Sequence, residues 1–210
     1  MFFFVSGIDT NVGKSYATGY LAKTWNEQGV RTITQKFIQT GNVGMSEDIE
    51  LHRKIMGTGL LPEDESGLTM PEIFTYPCSP HLAAEIDHRP IDFDKIEKAT
   101  RQLSETYDAV LLEGAGGLMV PLTRDLLTID YVAQKNYPLI FVTSGKLGSI
   151  NHTLLSLEAV TRRGIRLHTV AYNLFPEEDD DIIRRDTEAY ISDLLAKEYP
   201  ETHFVIVPKL

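Results

Sequence analysis

The sequence predicts an α/β fold, one domain over residues 1–210 with a mostly parallel sheet covered by helices on both faces. Three observations carry this expectation. Short runs of Val, Ile, Leu and Phe recur at the length of a buried strand, helical patterns alternate with them, and a glycine-rich loop joins the first run to the first helical pattern. With 210 residues, 42% of them hydrophobic, the chain can bury one substantial core and is short for two.

The elements follow in order. Residues 2–6 have no basic flank and are too short for a signal-peptide core, so they read as a buried strand. Lys14 to Gln28 has helical periodicity, a short strand at residues 31–36 fits after Gly29, and Asp48 to Met56 reads as a second helix. From Gly57 to Pro90 the pattern is broken by Gly, Pro and acidic residues, and only Leu82 to Ile86 looks helical, so an excursion over the strand ends is expected there. Asp94 to Glu105 reads as a helix with Asp94-x-x-Glu97 as its capping box. Strands at residues 109–112, 138–143, 167–172 and 203–207 complete the sheet, with helices at Asn151 to Arg163 and Asp181 to Glu198. The acidic run Glu177 to Asp181 reads as a solvated loop whose charge suits the positive end of that last helix. In such a sheet, ligands gather at the carboxyl ends of the strands.

A formal charge of −10 repels phosphate backbones, and no cluster of Lys or Arg with interleaved aromatics offsets it, so nucleic acid is not an expected partner. No stretch approaches the ~18 consecutive apolar residues of a membrane span. The single cysteine, Cys78, excludes an internal disulfide and a cysteine-based zinc site and fits a reducing, cytoplasmic compartment. An anion site on this acidic chain must be a local construction of backbone N–H groups, a few lysines and a metal.

Gly7-Ile8-Asp9-Thr10-Asn11-Val12-Gly13-Lys14-Ser15 lies between the first strand and the first helix, the setting of the phosphate-binding loop of P-loop NTPases. Backbone N–H groups from Asn11, Val12 and Gly13 through Tyr16 cradle phosphate oxygens, Lys14 reaches the outer phosphates, and the Ser15 hydroxyl ligates Mg²⁺. The first glycine stands one position earlier than the strict spacing wants, with Ile8 in its place. The bland alternative, a glycine turn beside a surface lysine, explains the strand-loop-helix setting less well.

Glu113-Gly114-Ala115-Gly116-Gly117 follows the strand at 109–112, which sets Glu113 at the strand's carboxyl end beside the phosphate loop, where a carboxylate can hold Mg²⁺ or its waters; an ordinary glycine turn is the bland alternative. Lys36 ends the second strand and there offers a second cation for charge developing in phosphoryl transfer, although a lone lysine is usually solvated. Asp48 is either a second metal carboxylate or part of a solvated helix start with Glu47 and Glu50. Gly145 to His152 leads into a helix that Asn151 is placed to cap, and its free N–H groups suit an anion. His152 and His81 read equally well as structural residues.

In order, the phosphate loop, Lys36 with Thr40, Ser79-Pro80-His81, Glu113 to Gly117, Lys146 to His152, and Tyr172-Asn173 closely resemble dethiobiotin synthetase over nearly the whole chain. That family's loop, G-T-D-T-x-V-G-K-T, shares the displaced glycine and differs here at Ile8 and Ser15; Asn11 stands where the family often carries Glu. The resemblance implies an ATP- and Mg²⁺-dependent cyclo-ligase of biotin biosynthesis that joins CO₂ to 7,8-diaminopelargonate through a carbamate and a carbamic-phosphoric anhydride. It further implies catalytic roles for Lys14, Lys36 and Thr40, and metal binding by Ser15, Asp48 and Glu113. Asn173 would meet the adenine, and the Gly116 backbone would lie near the reacting centre. Gly148, Ser149, Ile150 and Asn151 would receive the substrate carboxylate from the other subunit of a homodimer with shared active sites. The rival reading is a regulatory ATPase of the partitioning and division-site type, which shares the fold. Those proteins carry an extra lysine at the loop's start, where this chain has Gly7-Ile8-Asp9.

Overall fold

The computed structural model of the chain describes residues 1–175 and 180–209. Its strands are Phe2–Gly7 (β1), Thr32–Lys36 (β2), Gln39–Thr40 (β3), Ile73–Phe74 (β4), Ala109–Gly117 (β5), Leu139–Ser144 (β6), Leu167–Asn173 (β7) and His203–Val207 (β8). Six of them form one sheet in the order β2-β5-β1-β6-β7-β8, every neighbouring pair parallel. Among the described residues the helices are Lys14–Glu27 (α1), Glu47–Met56 (α2), Pro62–Glu65 (α3), Pro80–Ile86 (α4), Phe93–Thr106 (α5), Thr128–Lys135 (α6), Ser149–Arg162 (α7) and Asp181–Glu198 (α8).

The central strands are apolar on both faces because helices cover both. Phe3 and Val5 turn to one side with Leu111, Ile140 and Val142, against Ala17, Leu21 and Ala22 of α1. Phe4 turns to the other with Leu112 and Phe141, in a core that reaches Ile96 of α5, Ile129 of α6, Leu157 of α7 and Leu195 of α8. Burying each such Leu, Ile or Phe contributes about 1.5–3 kcal/mol relative to exposure. The alternation of strand and helix expected from the sequence thus becomes a three-layer fold, with β1 and β6 at the centre of the sheet.

Several local expectations are corrected. β5 does not end at Leu112; it runs on through Glu113 to Gly117, and Gly117 pairs with Gly7 after a register shift between Val5 and Gly7. Glycine permits this, since a Cβ on Gly114 would stand 2.9 Å from the Phe4 ring. α5 is capped by Asp92, which accepts the Lys95 N–H at 2.8 Å, so Asp94-x-x-Glu97 forms no capping box. Glu97 instead pairs with Arg101 and Lys135 across the surface. α7 starts at Ser149 after Gly148 in the left-handed conformation (φ 95°), which puts Asn151 inside the first turn instead of at the cap. α3, α6 and the two-stranded β3-β4 pair had no expectation. Of the acidic run Glu177 to Asp181, residues 177–179 lie outside the described residues; Asp180 caps α8 by accepting the Ile182 and Ile183 N–H groups.

The excursion between α2 and α5 is pinned over the strand ends, as expected. The Lys36 N–H donates to the Thr69 carbonyl at 2.7 Å. Buried Arg53 of α2 grips Asp64 of α3 with two 2.8 Å bonds, and Asp64 also accepts from the Leu61 N–H and the Thr69 hydroxyl. β3 is held from α2, where the Ser46 hydroxyl donates to the Gln39 side chain at 2.5 Å. Among the described residues no helix is long and apolar enough to cross a membrane.

Candidate active site

β1 delivers the chain to the glycine loop, and α1 carries it away. Gly13 sits at φ 81°, and a Cβ there would stand 2.0 Å from the Asn173 amide nitrogen, so glycine is required for both shape and space. α1 has no side-chain cap at its N-terminus, which leaves its first N–H groups facing the cleft. The Lys14 ammonium crosses the loop and donates to the Asp9 carbonyl at 2.9 Å. Burial, then the neighbouring Lys36 charge, lowers its pKa to about 8, against the opposing pull of Glu113, Asp48 and Asp9.

The loop faces a cluster built by three elements. Register places Lys36 of β2 directly beside Glu113 of β5, and α2, capped by Ser46, presents Asp48 to both. The Lys36 ammonium lies 2.9 Å from Glu113 Oε1 and 2.5 Å from Asp48 Oδ2, and it also donates to the Gly114 carbonyl. Ser15 Oγ lies 2.6 Å from Asp48 Oδ1 and 2.9 Å from Glu113 Oε1. Burial alone would raise the Glu113 carboxyl, but the Lys36 charge, His52 and their hydrogen bonds prevail and hold it well below the usual carboxylate range. Burial likewise opposes the charge on Lys36, yet Glu113 and Asp48 raise it well above its ordinary value. Both groups are therefore ionised at neutral pH.

Three hard oxygen donors, from Ser15, Asp48 and Glu113, thus converge beside the phosphate loop. Magnesium bound mainly by nucleotide phosphates and water needs one or two carboxylates and no closed protein cage. Among the described residues no cage of three or more His, Cys, Asp or Glu stands anywhere. The donor set fits that ion in that mode.

A cleft of about 910 Å³ joins these groups to Thr40, Gly116, Lys146, Ser149 and His152. Ser149 is buried, its hydroxyl 3.1 Å from that of Ser144, whereas Asn151 one half-turn on is exposed. Gly148, Ile150 and Asn151 are not among the residues lining the cleft. Asn173 is buried beneath the loop; its amide donates to the Val12 and Gly13 carbonyls at 3.0 and 3.3 Å and accepts the Phe175 N–H at 3.1 Å. At the same edge the rings of Tyr16 and Phe175 pack with centroids 5.1 Å apart, and both line the cleft. His81 bonds Ser79 at 3.0 Å and does not line it. Sequence reasoning missed His52, which is fully buried against Glu113; its spacing of four from Asp48 on one helix was the available signal.

Known proteins resemble this chain over nearly its whole length. A family model described as an AAA domain matches residues 2–208. "ATP-dependent dethiobiotin synthetase BioD 2" of Pasteurella multocida (strain Pm70) is 52% identical over 205 residues, which cover 98% of this chain and 96% of that protein. The protein of the same name from Haemophilus influenzae is 57% identical over 182 residues, covering 87% and 95%. "ATP-dependent dethiobiotin synthetase BioD" of Chlorobaculum tepidum is 53% identical over 184 residues, covering 88% and 77%. Among solved structures, chloroplast FtsY from Physcomitrella patens matches with a TM-score of 0.53 at 15% identity, and this chain spans 59% of its length. A chain of the MinC:MinD cell division protein complex of Aquifex aeolicus matches with a TM-score of 0.56 at 14% identity, covering all of this chain and 81% of that one. Likeness at that level of identity shows the fold alone.

Proposed function

Because the chain belongs to the family of ATP-dependent dethiobiotin synthetases, ATP-dependent ligases of biotin synthesis, we propose that it carboxylates 7,8-diaminopelargonate with CO₂ and closes the ureido ring to dethiobiotin, releasing ADP and phosphate. The observation that supports this most is the Lys36–Glu113–Asp48–Ser15 cluster at the mouth of the phosphate loop. Such a site brings two anions together by fixed charge and dipoles, with no protein nucleophile required.

In this reading one amine of the substrate adds CO₂ and loses a proton to become a carbamate, which Thr40 helps hold beside Lys36. A carbamate oxygen attacks the γ-phosphorus, the bond to the β-γ bridging oxygen breaks, and ADP leaves. Lys14 and Lys36 face the charge on the transferring group, and the Gly116 backbone lies near the reacting centre. The second amine then attacks the carbonyl carbon of the mixed anhydride, phosphate departs, and the ring closes. Ser15, Asp48 and Glu113 would hold Mg²⁺, and a bound ion there would supply charge neutralisation for the departing phosphate. The loop from Asn11 to Tyr16 binds the phosphates, and the base meets Tyr16 and Phe175 beside Asn173. The substrate carboxylate meets the Ser149 to Asn151 turn of a partner subunit in a cytoplasmic homodimer. Leu155, one turn on from Asn151 along α7, is an exposed apolar residue that such a partner would cover.

Incubation with diaminopelargonate, bicarbonate, Mg²⁺ and ATP should yield dethiobiotin by mass spectrometry, with one ADP per product. ADP formed without dethiobiotin, or a phosphorylated amine in its place, would overturn the reading.

Lys14 gives this proposal a pH signature. With its free-enzyme pKa lowered to about 8, the ammonium is present below that pH and lost above it. Nucleotide phosphates favour the charged form, so binding takes up a proton at alkaline pH, and affinity falls up to about tenfold per pH unit beyond that point. Calorimetry in two buffers of different ionisation enthalpy measures the uptake directly. No uptake at pH ~8.5 and a flat affinity would remove Lys14 from phosphate binding.

A further inference from the structure

We propose that His52 is a positioning residue for Glu113, fixing which carboxylate oxygen faces the nucleotide. The proposal rests on the reading of Glu113 as a metal ligand. Asp48 and His52 lie four residues apart on α2, so both point at the same side, Asp48 to Ser15 and Lys36 and His52 one turn deeper. His52 is completely buried, with Nε2 2.7 Å from Glu113 Oε2 and Nδ1 3.0 Å from Thr34 Oγ1.

The proton positions follow from the donors around it. The Arg53 guanidinium has only N–H groups to offer and donates to Thr34 Oγ1 at 2.8 Å. Glu113 is ionised and its Oε2 can only accept, so His52 Nε2 carries the hydrogen between them, while Nδ1 meets the Thr34 hydroxyl. With Oε2 engaged, Oε1 is the oxygen left for Lys36 and Ser15, each 2.9 Å away. Thr34 and Lys36 alternate onto the same face of β2, so a single strand supports both ends of this chain of hydrogen bonds. Arg53 is itself locked by Asp64, so the imidazole has a fixed frame behind it. Outer partners of this kind orient a ligand, and their loss weakens metal binding ~10–100-fold.

The test compares His52→Leu, His52→Gln and, as control, Glu113→Gln. The readout is Mn²⁺ affinity by electron paramagnetic resonance, with a non-hydrolysable ATP analogue bound, beside the Mg²⁺ dependence of turnover. His52→Leu should weaken Mn²⁺ binding and raise half-saturating Mg²⁺ by ~10–100-fold while the KM for diaminopelargonate stays near wild type. His52→Gln, whose amide can donate to Glu113 from about the place of Nε2, should restore most of the loss. A His52→Leu protein with wild-type Mn²⁺ affinity, or a Gln variant as impaired as Leu, overturns the positioning role. Glu113→Gln separates the two layers. If it weakens Mn²⁺ binding and His52→Leu does not, only the positioning role fails; if it changes nothing, the metal reading fails and takes this proposal with it. Should His52→Leu not fold, Thr34→Val keeps the imidazole and removes the hydroxyl that orients it. A loss of Mn²⁺ affinity in that variant supports the proposal, and an unchanged affinity overturns it.

Discussion

Lys36→Ala is expected to lower turnover at least ~100-fold, because in the proposed mechanism it removes a cation that would face the transferring phosphoryl group. The same change should be felt in stability. Lys36 lies buried between Glu113 and Asp48, so its loss leaves a buried carboxylate without its main counter-charge. Breaking such a pair from one side costs about 3–5 kcal/mol, and added Mg²⁺ should recover part of it by replacing the missing positive charge. The pH dependence has a definite sign. Glu113 has a depressed pKa in the fold, so its contribution is present above the unfolded carboxylate value and lost as pH falls through the folded one. Without Lys36 the folded value rises, and the acid-side loss of stability moves to higher pH. Denaturant titrations at pH ~5 and ~7, with and without Mg²⁺, measure this beside ADP release. Near-normal turnover would take Lys36 out of the mechanism.

Two inactive proteins are expected to regain activity when their subunits exchange. Lys14→Ala removes the phosphate-loop cation, and Asn151→Asp puts a negative charge where the proposed dimer would receive the substrate carboxylate, on an exposed helix turn that tolerates acidic residues. In a two-fold dimer with shared sites, a mixed pair holds one site with both lesions and one with neither. Random exchange of equal amounts makes half the dimers mixed, so ~25% of wild-type activity per total site should return. Light scattering or mass photometry establishes the dimer, and differently tagged chains establish exchange. Exchange without recovery means that each site is built within one chain.

The legible parts of the molecule were those written in local sequence. The glycine loop, its lysine and its serine are contiguous, so their arrangement follows from one strand-loop-helix unit. Strand identities followed from apolar runs and Lys36 from its place at the end of a strand, whereas Glu113 was placed beside the loop correctly but on a strand that runs on past it. What escaped depends on distant partners. β5 continues through four residues beyond Glu113 only because Phe4 and Gly7 of β1 lie against them, which no local pattern states. β3 and β4 are two residues each and exist by pairing with one another across more than thirty residues of chain. α6 has eight residues, too few for its periodicity to stand out. At Asp92 the cap was misplaced by two residues because Asp94 has the same chemistry. His52 looked like any polar residue on a surface helix until the fold buried it.

The distances along the chain between the partners at this site carry a kinetic meaning. Lys14 finds its carbonyl partner five residues away, whereas Lys36 and Ser15 meet Glu113 across 77 and 98 residues. Bringing the latter together closes long loops, at an entropic cost that rises slowly with length but that must be met before the contacts reward it. The contact from Lys14 to Asp9 can thus form from its own neighbourhood, whereas the Asn173 bonds to the Val12 and Gly13 carbonyls wait on β7 and the charged cluster exists only after β2, β5 and β1 have zipped in register. Turnover is consequently a report on completed folding, and during refolding its recovery should coincide with formation of the slowest central strand pairing.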